Sequence, residues 1–83
     1  MRQEWLPEDL IESWTLLEAD WELMAGKRAA TRLGFSLLLK FYEIEGRFPA
    51  YPEEVPAAAV VYMAGLVKVD AALFGKYSLS LTP

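Results

Sequence analysis

An all-α fold, a compact bundle of four to five helices forming one domain, is what the sequence predicts, and three observations predict it. Apolar residues recur at three- and four-residue intervals in several segments. Pro7 and Pro56 stand where helices begin, and Gly26 and Gly46 where they end. The chain is also rich enough to build a core, since 54% of its 83 residues are hydrophobic, among them three Trp, four Tyr and four Phe. A domain this short buries a modest share of its surface and is expected to be marginally stable.

The first helix is expected from Leu6 to Trp14: Pro7 suits its first turn, Glu8 and Asp9 complement its dipole, and Leu10, Ile11 and Trp14 share a face. Thr15-Leu16-Leu17-Glu18 fits a capping box that opens a second helix running to about Met24, with Gly26 as its stop. The third, from about Ala30 to Glu45, carries the apolar stripe Leu33, Gly34, Leu37, Leu38, Phe41 and Ile44, and Gly46 ends it. Phe48-Pro49 and Tyr51-Pro52 make a stiff, extended connector. A fourth helix begins at Pro56, with Val60, Val61, Ala64 and Val67 at helical spacing, and Asp70 caps a short fifth through Phe74. Residues 6–77 are expected to be ordered and 78–83 to form a loose tail.

Composition excludes much chemistry. With no Cys there are no disulfides, thiolate zinc sites or cysteine nucleophile, and with no His a Ser-His-Asp triad is impossible within this chain. An enzyme is not expected, nor any cofactor or metal. Met1–Trp5 lacks the layout of a secretory signal, and Lys40 breaks the apolar run Leu37-Leu38-Leu39, so a cytoplasmic protein without a membrane partner is expected. The net charge of −4 is unevenly spread. Residues 1–22 hold seven acids against Arg2, whereas residues 23–42 hold Lys27, Arg28, Arg32 and Lys40 and no acid.

Arg28, Arg32, Ser36 and Lys40 follow one another at four-residue steps, which, if Arg28 lies on the third helix, stacks three cations and a hydroxyl in a row that can track a phosphate backbone. The same row also serves as a solvated face keeping an apolar helix soluble. The acids Glu8, Asp9, Glu12, Glu18, Asp20 and Glu22 suit helix starts and outward faces rather than a metal cluster. Trp14 and Trp21 fall on apolar faces, leaving Trp5 as the candidate exposed aromatic. In Arg47-Phe48-Pro49, Phe48 is expected to plug the core and Arg47 to point back to the helix end.

Thr31-Arg32-Leu33-Gly34-Phe35-Ser36-Leu37-Leu38-Leu39-Lys40-Phe41, followed by Glu45-Gly46-Arg47-Phe48-Pro49, resembles the N-terminal domain of Tn-3 family transposases. Glu18-Ala19-Asp20, Glu54-Val55-Pro56 and Val69-Asp70-Ala71-Ala72-Leu73-Phe74 before Tyr77 extend the resemblance from about Leu6 to Tyr77. It implies a helical module that helps recognise a transposon's terminal inverted repeats, separate from the DDE catalytic domain, to which nothing here corresponds. The expected function is therefore DNA binding in transposition and recombination, with double-stranded DNA as partner, held weakly by this module in isolation, and with Arg28, Arg32, Ser36 and Lys40 as its contacts. The alternative is a protein-interaction or structural module that packs against the rest of a transposase or self-associates, which the acidic first helices and Leu79 and Leu81 of the tail favour.

Overall fold

Two leucine-led segments open the chain in the same way. α1 (Pro7–Trp14) and α2 (Glu18–Leu23) are preceded by Leu6 and Leu17, whose side chains carry no oxygen for the free amides of a first turn. An aspartate at the third helical position reaches back instead: Leu6 N–H donates to Asp9 Oδ2 at 3.4 Å, and Leu17 N–H to Asp20 Oδ2 at 2.8 Å. The capping box expected from Thr15 to Glu18 is thus replaced by Leu17 and Asp20. Thr15 Oγ1 is hydrogen-bonded to the Tyr62 hydroxyl at 2.6 Å, which ties the α1–α2 link to a distant part of the chain.

α3 (Ala29–Glu45) is the long central helix, and it stops where expected: Gly46 adopts φ 76° and its N–H donates to Tyr42 O at 2.8 Å. The connector contains a 3-10 turn, Pro52–Glu54, before α4 (Ala57–Val67), which ends at Lys68 in the left-handed region with φ 59°. The expected fifth helix is a 3-10 segment, Ala71–Lys76, with Asp70 Oδ1 accepting Ala72 N–H at 2.9 Å. This computed structural model describes residues 3–76, and the expectations for Tyr77 and the tail 78–83 lie outside the described residues. Among the described residues there are four α-helices and no strand.

α3 packs against α1, α4 and the final 3-10 segment. Trp14, Leu33, Leu37, Phe41, Ala59 and Met63 are fully enclosed between them, and Trp5 meets Trp14 edge-on with ring centroids 5.8 Å apart. Three expectations about which side faces inward are corrected. Ile11 is exposed while Leu10 and Trp14 are buried, because the inward face of α1 is narrower than its apolar content. In α4 the buried residues are Ala59, Met63, Ala64 and Val67, and Val61 lies outside. That helix is apolar nearly all round, so the pattern has no polar side to set its phase.

The third correction concerns the connector. Phe48 is 55% exposed and stacks on Tyr42, ring centroids 4.9 Å apart, while Pro49 takes the buried position. Arg47 does not serve the helix end. Its guanidinium spans the Glu54 carboxylate at 2.6 and 3.4 Å and donates to Phe48 O at 3.1 Å, and Glu54 also accepts the Ala50 N–H. The Arg47 bonds, with the Ala50 amide behind them, hold the Glu54 carboxyl down at about 2. The Gly-Arg-Phe-Pro turn is therefore clamped to the following 3-10 turn through one ion pair.

Candidate functional site

The row Arg28, Arg32, Ser36, Lys40 does not run along one face. At 3.6 residues per turn a four-residue step advances about 40° beyond a full turn, so three such steps carry the row roughly 120° around the helix. Burial follows that drift: Arg28 is exposed, Arg32 is half-buried, Ser36 is 0% and Lys40 3% exposed. The row spirals from solvent into the core. Ser36 and Lys40 belong with Leu33, Leu37 and Phe41 on the inward stripe, and neither is at the surface. Ser36 Oγ donates to Leu33 O at 2.9 Å, the local bond by which a buried helical hydroxyl is satisfied.

Lys40 is held by two carboxylates, Asp20 at 2.8 Å and Glu43 at 3.2 Å. Asp20 is itself buried, which corrects its assignment to an outward face. Burial pushes the Asp20 carboxyl up, but the Lys40 and Leu17 hydrogen bonds and the Lys40 charge outweigh it and leave it below the usual value. Burial likewise pushes Lys40 down, and its bonds to Asp20 and Glu43 carry it above the usual lysine value. Both groups are charged at neutral pH, and their pairing fastens α2 to α3.

Arg32 has a comparable structural duty. Its guanidinium donates to Val67 O at 3.1 Å and Lys27 O at 3.4 Å, joining the end of α4 to the start of α3. Two of its five N–H groups are thereby used, and the carbonyl at a helix C-terminus is a favourable partner for a cation.

These bonds shape a groove of about 560 Å³ between the α2–α3 turn and the end of α4. Its floor is apolar, from Met24, Leu66 and Val67, and Lys27, Arg32 and Lys68 line it with no acid among them. Trp21 forms a further wall and is 42% exposed. Lys27 Nζ lies 4.8 Å from the centroid of the Phe35 ring, a cation–π contact that fixes its position without neutralising it. Arg28, one residue away, is exposed and adds a fourth cation to this end of the molecule. Among the described residues no carboxylate pairs with Lys27, Arg28 or Lys68. The two tryptophan expectations are thus exchanged: Trp5 packs on the core and Trp21 is open. The groove therefore joins an apolar floor, a half-open indole and three cations with no acid in its lining.

A family model for a domain of unknown function, DUF4158, matches residues 1–81. The chain belongs to that family. No curated protein and no solved structure matches this chain.

In this DUF4158 domain no group of three or more Asp or Glu is placed to hold a metal ion among the described residues, and no described helix is long and apolar enough to cross a membrane. Of the four residues singled out in sequence, Arg28 and Arg32 lie at the cationic end and Ser36 and Lys40 do not. Lys27 and Lys68, which also line the groove, are not picked out by four-residue spacing because they sit on no periodic row: one precedes α3, the other ends α4. Lys68 follows Val67 and closes α4 in the left-handed region.

Proposed function

We propose that this domain is a DNA-binding module that contributes to recognition of transposon ends, meeting DNA with the end of the molecule that carries Lys27, Arg28, Arg32 and Lys68. The observation that carries the reading is that Lys27, Arg32 and Lys68 line one groove with no acid among its lining residues, and the exposed Arg28 follows Lys27 in the chain, although the chain as a whole has a net charge of −4. The resemblance of residues 6–77 to the N-terminal domain of Tn-3 family transposases points the same way. Glu22 and Asp70 are near in sequence but neither lines the groove. With three fully available cations the slope of log K against log salt concentration is expected near −2.7, so affinity falls roughly 40-fold for a fourfold rise in salt.

The test is fluorescence anisotropy with a labelled inverted-repeat duplex and a scrambled duplex at two salt concentrations. Arg28→Gln with Lys68→Gln should weaken binding and lower the slope by about two. Unchanged affinity and slope in that folded double variant would refute the reading. A protein-interaction role is the second reading, favoured by the exposed Tyr42–Phe48 stack beside the Arg47–Glu54 clamp. Sedimentation of the chain alone and of Phe48→Ser tests it, since self-association through that patch disappears in the variant.

A further inference from the structure

We propose that the groove beside Trp21 is a subsite for an unstacked nucleobase, with Trp21 stacking on the base and Lys27, Arg32 and Lys68 receiving the flanking phosphates. The inference rests on the DNA reading above and specifies a further form of DNA that the site takes: single-stranded DNA, whose bases are already unstacked. A phosphate track alone has no use for an apolar floor. Here Met24, Leu66 and Val67 form one, between a tryptophan and three cations. Its volume of about 560 Å³ falls in the range of about 300–1,000 Å³ typical of pockets that enclose a small organic group.

The chemistry of each wall matches a nucleotide. An indole offers a π-face to any base and so binds without sequence preference. Trp21 stays available because α2 is only six residues long and turns its other side to the core through Asp20 and its bond to Lys40. The guanidinium of Arg32 is held in place by two carbonyls and keeps three N–H groups for an anion. Lys27 is steadied by Phe35, and Lys68 is exposed at the opposite rim. Gly26 adds no side chain to the groove, and a Cβ built there would meet nothing within 4 Å.

The experiment compares a labelled thymidine oligomer of about 12 nucleotides with a blunt duplex of equal length, using the whole chain and the variants Trp21→Ala and Trp21→Phe. Circular dichroism confirms that each variant is folded. Trp21→Ala should weaken binding to the single strand by roughly 5- to 150-fold, the range for loss of one base-stacking partner. Binding to the duplex should change less than about twofold, because phosphate contacts remain, and Trp21→Phe should restore most of the single-strand affinity. Equal, small effects of Trp21→Ala on both probes would overturn the base subsite and leave the duplex reading standing. Failure of the unaltered chain to bind either probe at low salt would overturn both.

Discussion

Separating the buried pair Asp20–Lys40 should cost far more than separating a surface pair. The two side chains are 12% and 4% exposed and their charged atoms are 2.8 Å apart. Removing one partner from such a pair costs about 3–5 kcal/mol, because the other charge is left enclosed. In Asp20→Ala the nearby Glu43, 46% exposed and 3.2 Å from Lys40, returns part of that loss, an exposed contact being worth about 0–1 kcal/mol. The Leu17 N–H also loses its acceptor, a further cost of about 1 kcal/mol. The net expectation for Asp20→Ala is about 3–5 kcal/mol.

Lys40→Met keeps the volume and leaves Asp20 its Leu17 bond, so about 2–3 kcal/mol is expected. The double variant should fall short of the sum by at least about 1.5 kcal/mol. The assay is urea unfolding followed by circular dichroism. At about 0.05–0.15 kcal/mol per residue the chain has roughly 4–12 kcal/mol in total, so an excluded osmolyte should be present to keep Asp20→Ala folded. A coupling energy below about 0.5 kcal/mol is what two solvent-exposed charges would give, and it would refute the burial of Lys40.

Three further outcomes are expected. The folded Asp20 carboxyl lies below its unfolded value, so its contribution is present above about pH 4 and is lost as pH falls through the folded pKa; Lys40 lies above its unfolded value, so its contribution is full below about pH 10 and is lost as pH rises through the folded pKa. Stability from this pair should therefore be flat across neutral pH, and an Asp20→Asn variant should lose part of the acid-side slope seen in unfolding curves. Leu37→Ala and Phe41→Ala, both fully buried on α3, should destabilise by about 2–5 kcal/mol in the same assay, and a value below about 1 kcal/mol at both would mean that their face is not packed. Lys68→Gly should stabilise the fold by about 0.5–1 kcal/mol, since a left-handed φ of 59° suits glycine, while weakening DNA binding; a loss of stability would contradict the backbone assignment.

How much was legible in sequence depended on length and contrast. α3 is seventeen residues long with a polar side, and its start, its stop at Gly46 and its main core residues can be read directly. α2 has six residues, less than two turns, too few for periodicity to say whether Trp21 faces inward or outward. In α4 an almost uniformly apolar sequence left the inward side undetermined, and Val61 was placed on the wrong side. In the connector Phe48 and Pro49 are adjacent apolar residues, and local sequence does not tell which of them is buried; Pro49 is, and Phe48 is exposed.

The cationic site was half legible for a geometric reason. Four-residue spacing reads as a straight line over one step and as a spiral over three, which leaves Arg28 exposed and Arg32 half-buried and carries Ser36 and Lys40 into the core. Lys40 also carried a warning in the sequence, standing among Leu37, Leu38, Leu39 and Phe41, where a charge needs a partner. Lys68 becomes a neighbour of Arg32 only through the folding of α4 against α3, which no local spacing reports, whereas Lys27 is already near Arg32 in the chain.

Amide chemical-shift mapping of the ¹⁵N-labelled chain during titration with a short inverted-repeat duplex locates the DNA contacts residue by residue. Perturbations should concentrate at Lys27, Arg28 and Lys68, at the groove and the residue beside it, while the amides around Lys40 and Asp20 hold still. Perturbations centred instead on Tyr42, Phe48 and the Arg47–Glu54 clamp, or none at low salt with DNA in excess, would contradict the DNA reading.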